Sequence, residues 1–131
     1  MRLIALIFLL VASMASASTR DADVVNLGFV LNVIEDPIER AETLRRAFAL
    51  ARQVLIIAVR VDRSLEEGVE LSDGLVTERG TFQKIYTQAE FTAYVESVLS
   101  RRLHVAALGV GYVFDVLQGV PYVGFVAGAA T

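Results

Sequence analysis

Apolar and polar positions divide the middle of the chain into strands separated by a helix. Segments 23–31 (DVVNLGFVL) and 53–61 (QVLIIAVRV) are apolar on both alternating faces, as is typical of strands covered on both sides of a parallel sheet. Between them Asp36 precedes Pro37, and Glu39 follows three residues after the aspartate, which predicts a helix start. This order of elements predicts one parallel βαβ unit.

The predicted helix has two faces. The apolar residues that recur at helical spacing are Ile38, Ala41, Leu44, Ala47, Phe48 and Ala51. The polar residues between them are Glu39, Arg40, Glu42, Arg45, Arg46 and Arg52. We expect this polar face to be solvated. Phosphate binding by its arginines is the alternative, which the interleaved acids disfavour.

The second half of the chain continues the alternation. The polar stretch 62–80 carries turn signals and is longer than a purely connecting loop, which is typical of functional loops. Thr87 and Glu90 match a capping box and predict a second helix, which ends near residues 101–102. Segment 103–117 is then predicted to form one strand, in which Gly109 and Gly111 indicate a bulge or a close backbone approach.

The two ends of the chain differ from its middle. Arg2 precedes the apolar run Leu3–Ala12, and Ala15–Ala17 forms an Ala-x-Ala site, which together predict a signal peptide cleaved after Ala17. A buried strand or core helix is the alternative, and the run is short for a membrane span. We therefore divide the chain into a signal-like or replacement segment (1–20), an α/β half-domain (21–117) and an apolar Gly/Ala-rich tail (118–131).

The composition of the chain excludes several classes of function. The 131 residues are 55% hydrophobic and 21% charged, which predicts one compact folded domain. The net charge of -3 lacks the strongly basic field of proteins that bind nucleic acid unaided. The chain has no cysteine and one histidine, His104, which excludes thiolate nucleophiles, disulfides and multi-histidine metal centres. We expect no metal site.

Two motifs carry a family resemblance. Residues 24–37 (VVNLGFVLNVIEDP) form the first, and Asp73-Gly74, Thr77, 79–84 (RGTFQK) and Thr87-Gln88 form the second. Over about residues 22–115 the chain resembles the carboxyl-terminal part of the methyltransferases associated with bacterial DNA phosphorothioation systems. The resemblance implies an α/β fold, namely the second half of a Rossmann-like methyltransferase sheet with parallel strands and crossover helices. It also implies S-adenosylmethionine as cofactor, a cytoplasmic location, and DNA or modification-system proteins as partners.

The candidate site follows from sheet topology, because ligands in open α/β sheets bind beyond the carboxyl ends of parallel strands. The candidate substrate-binding residues are Asn26, Leu27, Gly28 and Phe29, and those on the ligand-side loop are Arg60, Asp73, Phe82 and Lys84. The first four are similar to the Asn-Pro-Pro-Phe motif of amino-methylating DNA methyltransferases, without its prolines. The structural alternatives are that the Asn26 side chain bonds to local backbone and that the Phe29 side chain packs in the core.

Half of such an enzyme is missing from the sequence. No glycine-rich turn follows a strand, and no acid stands where a second strand would bring one to the cofactor ribose. We therefore expect the isolated chain to be inactive and to expose the edge of its first strand. A second copy, a missing partner polypeptide or Leu3–Ala12 would cover that edge. The alternative function is a noncatalytic remnant or interaction module, secreted if the signal peptide is cleaved.

Overall fold

Two sheets and two helices make up the part of the chain that the computed structural model describes, residues 22–62 and 67–115. The expected signal peptide and the apolar tail 118–131 lie outside these ranges. In chain order the elements are β1 (Ala22–Gly28), a short 3-10 helix (Leu31–Val33), α1 (Pro37–Leu50), β2 (Ala51–Ala58), β3 (Gly68–Leu71), β4 (Gly74–Thr77), β5 (Phe82–Gln83), α2 (Gln88–Leu99), β6 (His104–Ala107) and β7 (Val110–Phe114). The protein is thus mixed α/β.

The larger sheet has the strand order β1-β2-β7-β6. β1 and β2 pair in parallel from Val24 opposite Val54 to Gly28 opposite Ala58, which confirms the parallel pairing predicted from the two apolar segments. β7 runs antiparallel to both β2 and β6, so the sheet is mixed and the expectation of parallel strands throughout is wrong. β6 consequently runs in the same direction as β1 and β2.

A tight hairpin explains the antiparallel strand. Segment 103–117 was expected to be one strand, but the chain turns at Leu108 and Gly109 and forms β6 and β7. Gly109 has φ 71°, and a Cβ there would lie 2.6 Å from the carbonyl oxygen of Val59. Gly111 also permits a close approach, since a Cβ on it would lie 2.6 Å from Leu103 Cδ1. The glycines therefore mark a turn and a close contact, and the predicted single strand is wrong.

One hydrophobic core lies between the larger sheet and the two helices. The sheet contributes Val25, Leu27, Leu55, Ile57 and Val113, all buried on one face. α1 contributes Leu44, Ala47 and Leu50, and α2 contributes Phe91, Val95 and Leu99. Because these side chains belong to one cluster, both helices pack on the same face of the sheet, which we call the helix face. The opposite face we call the outer face.

The polar face predicted for α1 is wrong at one residue. Arg40 is 1% exposed, whereas Ile38, assigned to the apolar face, is 81% exposed. The residues buried along α1 are Arg40, Thr43, Leu44, Ala47 and Leu50, which recur every three or four positions. Arg40 therefore lies on the buried side of α1. This side is rotated about the helix axis relative to the side that the apolar residues predicted.

The helix starts agree with the capping signals. The Asp36 carboxylate accepts a hydrogen bond from the backbone N–H of Ile38 at 2.9 Å, with Pro37 in the first turn. Thr87 and Glu90 form the reciprocal capping box that opens α2. α2 ends at Leu99, because Ser100 adopts a left-handed conformation with φ 53°. Within 22–62 and 67–115, no helix is long and apolar enough to cross a bilayer.

The stretch predicted to be a long loop, 62–80, contains two of the three strands of the smaller sheet, and the third strand follows directly. β3, β4 and β5 pair antiparallel in that order, and the turn between β3 and β4 falls at Ser72 and Asp73. Asp73-Gly74 therefore acts as the turn signal that the sequence indicated. Leu75 and Phe82 are buried between this sheet and the rest of the molecule, whereas every residue of β3 is exposed.

Candidate functional site

The carboxyl ends of β1 and β2 form the edge where α/β sheets bind ligands. The Phe29 backbone N–H, just after β1, donates to the Ala58 carbonyl oxygen at 2.8 Å. The Val59 N–H, just after β2, donates to the Gly109 carbonyl oxygen at 2.8 Å. The tip of the β6–β7 hairpin therefore closes this edge on one side, and Phe29 stands on the other.

Phe29 is the most unusual residue at this edge. Its φ is 58°, a left-handed conformation that bulky side chains rarely adopt. Its side chain is 53% exposed, so core packing does not explain the strained backbone. Strained residues cluster at functional sites. Leu108, at the hairpin tip beyond the end of β2, is 71% exposed.

The other three candidate residues of β1 point in two directions. Leu27 is fully buried on the helix face and belongs to the core. Asn26 and Gly28 lie on the outer face, opposite Ile56 and Ala58 of β2. A Cβ on Gly28 would lie 3.1 Å from Asn26 Oδ1, so the amide side chain reaches along the strand toward Phe29. Asn26 and Phe29 are thus brought to one end of the sheet.

Asn32 connects this edge to the smaller sheet. Its side chain is 2% exposed, and its Oδ1 accepts a hydrogen bond from the backbone N–H of Arg60 at 3.0 Å. Its Nδ2 donates to the Lys84 carbonyl oxygen at 2.6 Å, while the Lys84 N–H donates to the Asn32 carbonyl oxygen at 2.7 Å. The Tyr86 N–H in turn donates to the Arg60 carbonyl oxygen at 2.9 Å. One buried amide therefore joins three segments of the chain.

Asp73, Phe82 and Lys84 surround the buried guanidinium of Arg40. Arg40 donates from Nη1 to one Asp73 carboxylate oxygen at 2.6 Å and from Nη2 to the other at 3.1 Å. Its Nε and Nη2 also donate to the Ile34 carbonyl oxygen, at 3.0 and 2.6 Å. The guanidinium carbon lies 5.9 Å from the centre of the Phe82 ring. Lys84 Nζ is 3.7 Å from the Asp73 carboxylate.

The charges in this cluster shift one another's protonation. Burial alone raises the pKa of Asp73, but the hydrogen bonds and positive charge of Arg40, with Lys84, outweigh it and hold that pKa below its ordinary value. Burial alone lowers the pKa of Arg40, and the bond to Asp73 reverses this and raises it. The pair is therefore a permanently charged clamp at neutral pH, which we call the Arg40–Asp73 clamp.

Two tyrosines lie beside the clamp. Burial raises the pKa of Tyr86 and of Tyr94, although the charge of Arg40 acts in the opposite direction. Their rings are 6.0 Å apart, and neither buried hydroxyl has a hydrogen-bond partner within the described ranges. Both phenols therefore stay neutral. They are packing groups, because a buried neutral phenol offers no base for proton transfer.

Two open cavities flank the clamp and share Ser72. The larger has a volume of about 500 Å³ and is lined by Val33, Ile34, Glu35, Asp36, Pro37, Glu39 and Ser72. The smaller, about 240 Å³, is lined by Glu70, Ser72, Asp73, Gly74, Leu75, Gln83 and Ile85. Their carboxylates repel phosphate groups. Among the residues described, no group of three or more His, Cys, Asp or Glu side chains is placed to hold a metal ion.

The structure thus places six of the eight candidate residues in two groups, while Leu27 lies in the core and Gly28 on the outer face. Asn26 and Phe29 lie at the carboxyl edge, whereas Asp73, Phe82 and Lys84 pack around Arg40 beside the first turn of α1. Arg60 is linked to the second group through the Asn32 side chain, which accepts from the Arg60 N–H and donates to the Lys84 carbonyl oxygen. The sequence analysis missed both organising residues, Asn32 and Arg40. Two features of the sequence indicate that these side chains are buried. Asn32 is an amide inside the apolar run 30–34, and Arg40 lies four residues before Leu44, on the same side of the helix.

The described residues do not fit a complete S-adenosylmethionine site. Such a site needs a glycine-rich strand-to-helix turn at which the backbone approaches the cofactor. In the described ranges Gly28 ends β1, but the 3-10 helix and the residues up to Asp36 intervene before α1 begins. The other described glycines lie in hairpins or in strands of the antiparallel ladders. The described part of the chain therefore lacks the glycine-rich turn of such a site.

No protein-family model matches the sequence, and no curated protein matches it either.

Proposed function

We propose that this chain is the carboxyl-terminal half of a Rossmann-like, S-adenosylmethionine-dependent methyltransferase of the type associated with DNA phosphorothioation. In this role it supplies the substrate side of the site and needs a separate half to bind the cofactor. The isolated chain is then inactive, and its partners are DNA and proteins of a DNA modification system.

The strand order of the larger sheet carries the proposal. The parallel β1-α1-β2 unit is followed by α2, β6 and the antiparallel β7, which inserts between β2 and β6. Many doubly wound sheets combine parallel strands with an antiparallel strand at their edge, and here the antiparallel strand is next to the edge strand β6. β1 lies at the edge of the described sheet, where the strands of the first half would continue it. The order therefore suits the second half of a doubly wound sheet.

The carboxyl edge supports a substrate role. Asn26 and Phe29 lie at the end of the strand that would neighbour the first half. An exposed aromatic ring offers a stacking surface for a base, and an amide offers hydrogen-bond groups to an exocyclic amino group. The left-handed backbone at Phe29 holds the ring outside the core. These are the groups that an amino-directed methyltransferase presents to its acceptor.

A chimera tests the proposal directly. The cofactor-binding half of a phosphorothioation-associated methyltransferase would be joined in front of Ala22, and binding of S-adenosylmethionine would be measured by titration calorimetry. We expect micromolar binding by the chimera, together with transfer of labelled methyl groups to DNA. Phe29→Ala should reduce transfer at least tenfold with little change in cofactor affinity, because the ring contacts the acceptor.

The matched control is Ala49→Ser on the exposed side of α1, which should change neither quantity. A chimera with native-like circular dichroism that binds no cofactor would contradict the proposal. Equal methyl transfer by Phe29→Ala and by the parent chimera would contradict the role of the ring.

The free strand edge favours one other function, an interaction module that binds through β1 without catalysis. In the described ranges β1 pairs with β2 alone, and an edge strand is a template for another strand. Analytical ultracentrifugation of the full chain tests self-association through this edge. Val24→Lys should abolish it, because a lysine on an edge strand opposes strand addition, whereas Val69→Lys on β3 should not. Association unchanged in Val24→Lys would exclude this route.

A further inference from the structure

The outer face of the larger sheet is apolar. Three strands contribute alternate residues to it: Val24, Asn26 and Gly28 of β1, Val54, Ile56 and Ala58 of β2, and Val110, Tyr112 and Phe114 of β7. Val24 is 51% exposed, Val54, Ile56, Val110 and Tyr112 are half-buried, and Ala58 and Phe114 are buried. Both helices of the described ranges pack on the opposite face. A strand that is apolar on both faces is typical of a sheet covered on both sides.

The place where the chain enters the sheet points to the cover. β1 begins at Ala22, at the end of the sheet where Val24, Val54 and Phe114 form one row. Segment 13–21 precedes it and spans up to about 30 Å when extended. This reach is enough to return Leu3–Ala12 over the outer face.

The apolar run matches the face in length and chemistry. Leu3–Ala12 contains ten residues without charge, glycine or proline, and ten residues form a helix about 15 Å long. Along β1, the outer-face residues from Val24 to Gly28 span about 13 Å. No Asp, Glu, Lys or Arg is among the nine outer-face residues named above or in Leu3–Ala12, while His104 of β6 lies beside them, opposite Tyr112, and Arg52 pairs with Asp23 at the start of the sheet. A helix that is apolar on all sides is stable only when buried.

The carboxyl-terminal tail is the less suitable occupant. Segment 118–131 is also apolar, but it contains Pro121 and three glycines, which oppose a continuous helix. A second copy of the chain is the other candidate occupant, and the cross-linking test below distinguishes it from Leu3–Ala12.

We propose that the outer face is the docking surface for the chain's own segment Leu3–Ala12, which lies on it as a helix and remains part of the working protein. The argument for this inference rests on packing and not on the methyltransferase proposal. The two proposals share Asn26, and in the chimera joined at Ala22 the added half takes the place of Leu3–Ala12 on the outer face. It contradicts cleavage of the segment as a signal peptide.

Because the natural sequence contains no cysteine, the introduced cysteines would be the only thiols in a cross-linking test. In the full chain, Ile56→Cys would be combined in turn with a cysteine at Leu6, Ile7, Leu9 or Leu10, and disulfides formed under mild oxidation would be detected by mass spectrometry. We expect intramolecular disulfides in the monomer at positions three or four residues apart, as one side of a helix requires. The matched control replaces Ile56→Cys with Ala49→Cys on the exposed side of α1, where cross-linking should be at least tenfold slower.

Four results would overturn the proposal. Equal rates with Ile56→Cys and Ala49→Cys would mean that the segment has no fixed position. Cross-links at alternate residues would indicate a strand, and cross-links found only in dimers would indicate a second copy as the occupant. A purified protein whose intact mass begins at Ser18 would show that the segment is removed.

A labelling experiment keeps the proposal testable if the double-cysteine variants fold poorly. The single variant Ile56→Cys would be reacted with a maleimide, with and without Leu6→Lys/Leu10→Lys in the apolar run. We expect the two lysines to raise the labelling rate at residue 56 about tenfold, while Leu108→Cys at the hairpin tip labels at the same rate in both backgrounds. An unchanged rate at residue 56 would overturn the proposal.

Discussion

Arg40 is the residue whose environment departs furthest from its usual one. A guanidinium is rarely buried without a partner, and here a carboxylate and two main-chain carbonyl oxygens accept its hydrogen bonds. Planar, bidentate geometry suits arginine and not lysine. The Arg40–Asp73 clamp therefore fixes the tip of the β3–β4 hairpin against the first turn of α1.

Breaking the clamp should be costly. Asp73→Ala leaves the Arg40 charge buried with carbonyl oxygens alone, and we expect the free energy of unfolding to fall by about 2 kcal/mol. Urea unfolding monitored by circular dichroism measures this change. The control is Glu42→Ala, which removes an exposed pair with Arg46 and should cost under about 1 kcal/mol. Equal effects of the two substitutions would mean that the clamp is no stronger than a surface ion pair.

The clamp should also make stability depend on pH. The folded state holds the pKa of Asp73 below its unfolded value of about 3.9, so the clamp's contribution is complete above that value and is lost as the pH falls through the folded pKa. The stability difference between the natural chain and Asp73→Asn should therefore be largest near pH 6 and shrink below about pH 4. Urea titrations from pH 2 to 6 check this. A difference that stays constant down to pH 2 would refute it.

Sequence patterns missed this residue for a physical reason. A pattern of apolar residues predicts that an arginine faces solvent. Burial of the Arg40 guanidinium is stable only because its charge is paired with Asp73, which lies 33 residues later in the sequence. The capping residues Asp36 and Thr87 were predictable, because a cap bonds to the backbone within three positions of itself. Local interactions can thus be read from the sequence, whereas the organising contacts of the candidate site are long-range.

At the scale of elements, the β6–β7 hairpin depends on one glycine. Gly109→Ala places a Cβ 2.6 Å from the Val59 carbonyl oxygen in addition to the cost of φ 71°, and we expect a loss of more than about 2 kcal/mol. Gly80→Ala is the matched control, because Gly80 has φ 77° but open space around it, and should cost about 1 kcal/mol. Thermal unfolding compares the two. A milder effect at Gly109 than at Gly80 would show that the turn relaxes freely.

The elements themselves were only partly predictable. The βαβ unit was found because its strands are continuous apolar runs and its helix has a strong start signal. The hairpin within 103–117 was missed because Leu108-Gly109 carries little polar turn signal, and its turn is fixed by contact with Val59. Strands β3 and β4 within 62–80 were missed because they are short and because every residue of β3 is exposed. Short strands that depend on tertiary packing leave a weak periodicity.

At the scale of the whole molecule, the lack of a glycine-rich turn in the described residues predicts weak cofactor binding. The full chain should bind S-adenosylmethionine more weakly than micromolar, because about -8.2 kcal/mol is needed for that affinity and the described residues lack the glycine-rich turn. Titration calorimetry measures the affinity. Micromolar binding that is lost in Asn26→Ala would instead make the chain a complete methyltransferase.

The three hydrogen bonds of Asn32 have a consequence for how the molecule unfolds. They tie the start of the βαβ crossover to Arg60, two residues after β2, and to Lys84, the residue after β5, across 28 and 52 positions of the chain. With this link intact, the two sheets should melt in a single cooperative transition. In Asn32→Leu the side-chain amide is gone, and the small sheet should melt first, giving two calorimetric peaks and early hydrogen exchange in β3 and β4. One buried amide then decides whether the molecule behaves as one cooperative unit or as two.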